Sequence, residues 1–169
     1  MLHHNIVLIG MMGTGKSTVG SLLAAKTGKT FVDLDQRIVR EAGRSIPDIF
    51  AAEGEAYFRD LESAALRNTL QEQGIVLATG GGAVLREANR LAMRGGGLVV
   101  ALQATADEIL ARVGEDPNRP LLAGGAKERI TALLEERKEL YAFAHLTVDT
   151  SGKSADQVAA EILTHYRGS

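Results

Sequence analysis

The chain has no cysteine, which excludes disulfides, thiolate metal centres and thiol nucleophiles and fits a reducing compartment. Its 19 Lys and Arg against 21 Asp and Glu give a formal net charge of -2. A nucleic-acid or anionic-membrane surface needs clustered excess basic residues, so neither partner is expected and any basic residue that matters must act locally. Export signals are missing as well: the first apolar run, Ile6-Val7-Leu8-Ile9, stops at Gly10 without a charged leader or cleavage site, and the cytoplasm is the expected location. Internal repeats and low-complexity stretches are absent. The four histidines have no ligand spacing, since His3 and His4 are adjacent near a terminus while His145 and His165 stand alone. What is present is 169 residues, 45% hydrophobic and 24% charged, enough for one soluble domain over 1–169 with a full core.

Short β-rich runs alternate with longer helical patterns, the mark of an α/β fold with a parallel sheet covered by helices. The strands are expected at Ile6–Ile9, Thr30–Val32, Ile75–Ala78, Leu98–Leu102 and Leu146–Val148. Helices are expected at about Lys16–Thr27, Asp35–Ala42, Ile46–Ala52, Glu55–Gln73, Arg86–Arg94, Ala106–Val113, Ala126–Ala144 and Ser154–Tyr166. The Gly95-Gly96-Gly97 and Gly124-Gly125 clusters read as loops within one domain.

Between the first strand and the first helix stands Gly10-Met11-Met12-Gly13-Thr14-Gly15-Lys16-Ser17, a phosphate-binding loop in its expected context. Glycines turn the backbone so that its N–H groups point at a phosphate, and the helix N-terminus adds a favourable dipole. Lys16 would sit on the β- and γ-phosphates and the Ser17 hydroxyl on Mg²⁺; Met11 and Met12 are loop filler. Gly28-Lys29-Thr30 is no rival, because the opening glycine it needs is Leu23. Asp33-Leu34-Asp35 follows the second strand and Gly80-Gly81-Gly82 the third. Ligands of open α/β sheets bind beyond the carboxyl ends of the strands, so these three motifs converge on one site.

Asp33 and Asp35 are two apart and would project to one side of an extended segment. One suits Mg²⁺ and the other an acceptor hydroxyl, unless Asp35 simply caps the next helix. The triglycine either lets backbone approach a ligand closely or forms a plain tight turn. Many nucleotide hydrolases and kinases keep a metal-binding aspartate there; its lack leaves metal binding to Ser17 and Asp33. Arg59 and Glu62 lie three apart and share a helix face with Leu66. Arg137 shares a stripe with Ile130, Leu133 and Leu134 and should point inward or along the site's edge. Two such arginines suit a carboxylate held by fork-like hydrogen bonds, the alternative being surface salt bridges. Gly114–Gly125 carries two prolines with Arg119 between its glycine ends, and reads as a lid whose arginine swings onto the transferred phosphoryl group or as an idle surface loop. Asp149-Thr150-Ser151-Gly152 fits the loose Asp-x-x-Gly of GTP switches but follows the last strand, and no Asn-Lys-x-Asp exists, which argues against a GTPase.

Taken in order, the phosphate loop, Asp33-Leu34-Asp35, Gly43-Arg44-Ser45-Ile46 with Ile49-Phe50, Gly54-Glu55 with Phe58-Arg59 and Glu62, Gly80-Gly81-Gly82, Arg119-Pro120-Leu121-Leu122, and Glu136-Arg137 with Leu140-Tyr141 resemble the shikimate kinase family over nearly the whole chain. The resemblance implies a P-loop, nucleoside-monophosphate-kinase-like fold with a five-stranded parallel sheet flanked by helices. It also implies a substrate-binding region around 33–62 and a lid near 113–125. It implies phosphorylation of the shikimate 3-hydroxyl by Mg·ATP to shikimate 3-phosphate and ADP, in chorismate and aromatic amino acid biosynthesis; separately, a monomer is expected. Arg59 and Arg137 would then grip the carboxylate, Asp35 and the Gly80, Gly81 and Gly82 backbone would hold ring hydroxyls, and Glu62 would support the pocket walled by Phe50 and Phe58. Gly13, Thr14, Gly15, Lys16, Ser17, Thr18, Arg112 and Arg119 would bind ATP, with Arg112 against adenine and Thr150–Ser154 nearby. Lys16, Asp35 and Arg119 would be catalytic, and Ser17 and Asp33 would hold Mg²⁺. The rivals are another small-metabolite kinase, such as a gluconate kinase, and a catalytically silent nucleotide-binding regulator. Asp33-Leu34-Asp35 with the triglycine speaks against the first, and intact Lys16, Asp35 and Arg119 against the second.

Overall fold

The structure, a computed structural model, describes residues 5–113 and 125–168. Five strands form one parallel sheet: β1 (Ile6–Ile9), β2 (Thr30–Asp33), β3 (Ile75–Ala78), β4 (Leu98–Gln103) and β5 (Leu146–Asp149), in the order β2-β3-β1-β4-β5. Ile6 pairs with Val76 on one side and Leu98 on the other, Thr30 with Ile75 and Val100 with Leu146. β1 and β3 are buried throughout, as strands covered on both faces must be, and β-branched residues suit them.

Alternation along the strands feeds two cores. Val7, Ile9, Leu77 and Val99 join one with Leu34, Ile49, Phe58, Leu66 and Ile130, whereas Ile6, Leu8, Val76 and Val100 join the other with Leu23, Val158 and Ile162. The first layer is built from α2 (Leu34–Ala42), α3 (Ile46–Glu53), α4 (Glu55–Leu70), α5 (Glu87–Gly96), α6 (Ala106–Val113) and α7 (Ala126–Arg137). The second is built from α1 (Lys16–Thr27) and α8 (Ala155–Gly168). At the amino edge of the sheet the buried Asn5 side chain donates to Glu72 O (2.9 Å) and Gly96 O (3.1 Å) and accepts from Ile75 N (3.1 Å). One amide thereby sets β1 between its two neighbours.

Most elements fall where expected, with instructive differences. α2 starts at Leu34 because Asp33 is its N-cap, the carboxylate accepting from Gln36 N; Asp35 is a first-turn residue, so the aspartates do not share one extended segment and Asp35 is not the cap. The helix expected over Ala126–Ala144 stops at Arg137 and tightens into a 3₁₀ turn, Lys138–Tyr141, which seats Tyr141 in the core at 7% exposure. α4 ends at Leu70, ahead of Gly74 at φ 73°. Met11 is no filler: it is 1% exposed and part of the core. Arg119 and residues 114–124 of the expected lid lie outside the described residues, as do His3 and His4. No helix among the described residues is long and apolar enough to cross a membrane.

Candidate active site

With β1 between β3 and β4, and β2 outside β3, the loops after the first three strands stand side by side at the carboxyl edge. Gly10, Gly13 and Gly15 take φ of 144°, 78° and 90°, a region closed to most side chains. A Cβ at Gly10 would also lie 2.5 Å from Leu102 O. Thr14 is buried and donates to Met11 O at 2.7 Å, so its hydroxyl braces the loop. Lys16 Nζ donates to Gly10 O at 2.6 Å and Met11 O at 2.9 Å. The loop with Asp33, Asp35, Gln36 and Thr79–Gly81 encloses a cavity of about 470 Å³.

Ser17 Oγ donates to Asp33 Oδ2 at 3.2 Å, bringing together the two oxygen ligands expected for Mg²⁺. Hydroxyl and carboxylate suit this hard cation. Among the described residues no group of three His, Cys, Asp or Glu could hold a metal ion; one hydroxyl and one carboxylate leave most of an octahedral Mg²⁺ shell to other oxygens.

Beside this cavity lies a chamber of about 160 Å³ lined by Asp35, Ile46, Phe50, Phe58, Arg59, Glu62 and Gly80–Gly82. Asp35, Gly80 and Gly81 line both spaces, so the two adjoin. The rings of Phe50 and Phe58 pack against each other, tilted by 33° with centroids 4.9 Å apart. α3 is set by Ser45, whose hydroxyl accepts from Asp48 N, and α4 carries Arg59 and Glu62 side by side, Nη1 to Oε1 2.9 Å. Glu62 is 1% exposed. Burial pushes its carboxyl above the usual range, more strongly than the Arg59 guanidinium pulls it down. Arg59 also pairs with Glu55 at 3.4 Å, so it makes helix salt bridges while lining the chamber.

The three glycines stand against three charged side chains. A Cβ at Gly80 would lie 2.9 Å from Asp35 Oδ1, at Gly81 3.3 Å from Arg137 Nη1, and at Gly82 2.4 Å from Arg59 Nη1 and Nη2. Close approach, not a positive φ, is what a side chain here would disturb, by displacing those three charged groups. Arg137 donates to Gly81 O at 3.0 Å and lies 3.9 Å from Met11 Sδ, which places it at the edge of the chamber. Its charge opposes the burial that raises the Tyr141 phenol above its ordinary value.

A third cavity of about 250 Å³ continues past Thr14, Gly15 and Thr18 to Arg112, Thr150 and Lys153. Arg112 Nη1 donates to Gly13 O at 2.8 Å, a contact between residues 13 and 112 that no spacing in the sequence announces. Asp149 Oδ1 accepts from Ser151 N at 2.9 Å and so folds its own turn. His145 Nδ1 accepts from Val99 N at 2.9 Å, a structural role.

A phosphate loop with a small chamber of charged and aromatic side chains beside it marks a P-loop kinase of a small metabolite. A profile of the shikimate kinase family matches residues 12–167. Shikimate kinases of Geobacter metallireducens and Geobacter sulfurreducens are 47% and 49% identical, over 97% and 96% of this chain and 92% and 91% of theirs. The solved shikimate kinase of Acinetobacter baumannii in complex with shikimate superposes with a TM-score of 0.92 at 39% identity, covering 98% of this chain and 94% of that one. The chain belongs to the shikimate kinase family. It is an enzyme of the shikimate pathway that phosphorylates shikimate at the expense of ATP.

Proposed function

We propose that the phosphate-loop cavity holds Mg·ATP, that the adjoining chamber holds shikimate, and that the 3-hydroxyl is the acceptor where they meet. The observation that carries this is the pairing of Gly80, Gly81 and Gly82 with Asp35, Arg137 and Arg59. Two guanidiniums suit the single carboxylate and one aspartate a hydroxyl, across a loop whose amides can approach the ring. Among the described residues those three amides donate to no backbone carbonyl. Asp35 orients the acceptor hydroxyl and takes up its proton, while Glu62 holds Arg59. Lys16 moves from the loop carbonyls to the phosphates, and Arg119 joins it on the transferred group. Ser17 and Asp33 hold Mg²⁺, which neutralises charge on the phosphate oxygens when bound. Gly13, Gly15 and Thr18 border the phosphates, and Arg112 lies along adenine with Thr150–Ser154 opposite.

In this reading residues 1–169 form one kinase domain, acceptor region 33–62 and lid 113–125 included. It works as a cytoplasmic monomer without nucleic-acid or membrane partners. A coupled assay of ADP release tests the proposal. Turnover should require shikimate and vanish with EDTA, returning with added Mg²⁺. Equal turnover with gluconate, or activity indifferent to EDTA, would overturn it.

A further inference from the structure

A run of three glycines has no side chains with which to fix its own shape, and glycine gives up more backbone freedom on ordering than any other residue. The restraint comes from outside. Within the loop Ala83 N donates to Gly80 O and Leu85 N to Gly82 O, each at 3.1 Å. The next three carbonyls are taken by two side chains from the first turns of α5. Asn89 Nδ2 donates to Ala83 O at 3.1 Å, and Arg90 Nη1 donates to Val84 O at 2.7 Å and to Leu85 O at 3.2 Å. Asn89 is 2% exposed, and Ala83 and Val84 0% and 1%, so little water is at hand to replace a lost partner. Neither Asn89 nor Arg90 lines the cavities described above.

We propose that Asn89 and Arg90 are positioning residues for the acceptor. They hold the glycine loop at the distance where its amides, with Asp35, Arg59 and Arg137, meet shikimate, and they touch neither substrate. This rests on the assignment of Gly80–Gly82 to the acceptor made above.

The test uses the full chain carrying Arg90→Met, which keeps the aliphatic stem, and Arg90→Lys, which keeps one cation for two carbonyls. KM for each substrate, kcat, the thermal midpoint and calorimetric titration with shikimate are measured. The shikimate KM and Kd should rise about tenfold in the methionine variant and less in the lysine variant. The ATP KM should stay within about twofold and kcat should fall less than the shikimate KM rises. A rise in ATP KM with shikimate binding unmoved would show that the loop serves the nucleotide, overturning the acceptor assignment itself. Unchanged constants, or equal shifts for both substrates, in a folded variant would leave that assignment standing and overturn the positioning role. Should the methionine variant fail to fold, the same readings on Arg90→Lys decide.

Discussion

Replacing Gly82 with alanine asks whether the contact between the glycine loop and Arg59 governs acceptor binding. The backbone there tolerates an L-residue, since Gly82 is absent from the positive-φ glycines. The added methyl would sit 2.4 Å from both terminal nitrogens of Arg59, where ordinary contact begins near 3.4 Å. The guanidinium must therefore retreat by about 1 Å, and such misplacement of a positioning group costs on the order of 10²-fold in rate. Arg59 is also held at 2.9 Å by a carboxylate 1% exposed, so the retreat strains a buried ion pair. Because the group that must give way is the far end of a flexible side chain, the cost should stay near the lower end for overpacking, about 1 kcal/mol, or about 3 °C in thermal midpoint for a chain of this size. The assay is steady-state ADP release with each substrate varied, beside thermal unfolding. Shikimate kcat/KM should fall about 100-fold with ATP KM nearly unchanged. Alanine at Gly80 and Gly81, facing contacts of 2.9 and 3.3 Å, should give progressively smaller losses. A folded Gly82→Ala enzyme with wild-type shikimate kinetics would refute the reasoning and return Arg59 to a helix salt bridge.

Asp35→Asn should lower turnover at saturating shikimate by about 10²–10⁴-fold, the span of a positioned acid–base group. The helix cap is untouched because Asp33 supplies it, so the thermal midpoint and ATP affinity should hold, and near-normal turnover would make Asp35 a binding residue only. Glu62→Gln tests the raised carboxyl. A folded-state value above the ordinary 4.5 means the native state holds this proton longer than the unfolded chain. The contribution of Glu62 is then most favourable below pH about 4.5 and is lost as pH rises through the raised value. The wild-type thermal midpoint, measured relative to the glutamine variant across pH 4 to 8, should decline through that interval and level off above it. A difference that grows with pH would show that the Arg59 pairing outweighs burial.

Much of the site was legible in the sequence because its motifs are local. Gly10–Ser17, Asp33-Leu34-Asp35 and Gly80-Gly81-Gly82 each sit at a strand end, and the α/β alternation alone sends them to one edge. The strand order was not legible, since nothing in a four-residue apolar strand such as Ile75–Ala78 names its neighbours. Three-dimensional partners were hidden for the same reason: Arg112 on Gly13 O and Asn89 on Ala83 O carry no periodic signal. The end of α7 escaped notice because Leu140 and Tyr141 continue an acceptable helical pattern, and only tertiary packing tightens the turn. Asp33 was read for its charge, while its capping role depends on where β2 gives way to α2.

The hydrogen bonds of Lys16 bear on the energetics of the phosphate binding proposed for it. An ammonium seated on the carbonyls of Gly10 and Met11 already has partners before a nucleotide arrives. Phosphate binding is then an exchange of hydrogen bonds, and the net gain is the difference between two occupied states. On the role proposed for Lys16, the same carbonyls stand ready to receive the cation when ADP departs. On that role, carbonyls that substitute for phosphate oxygens lower the net gain of nucleotide binding and so ease release of ADP.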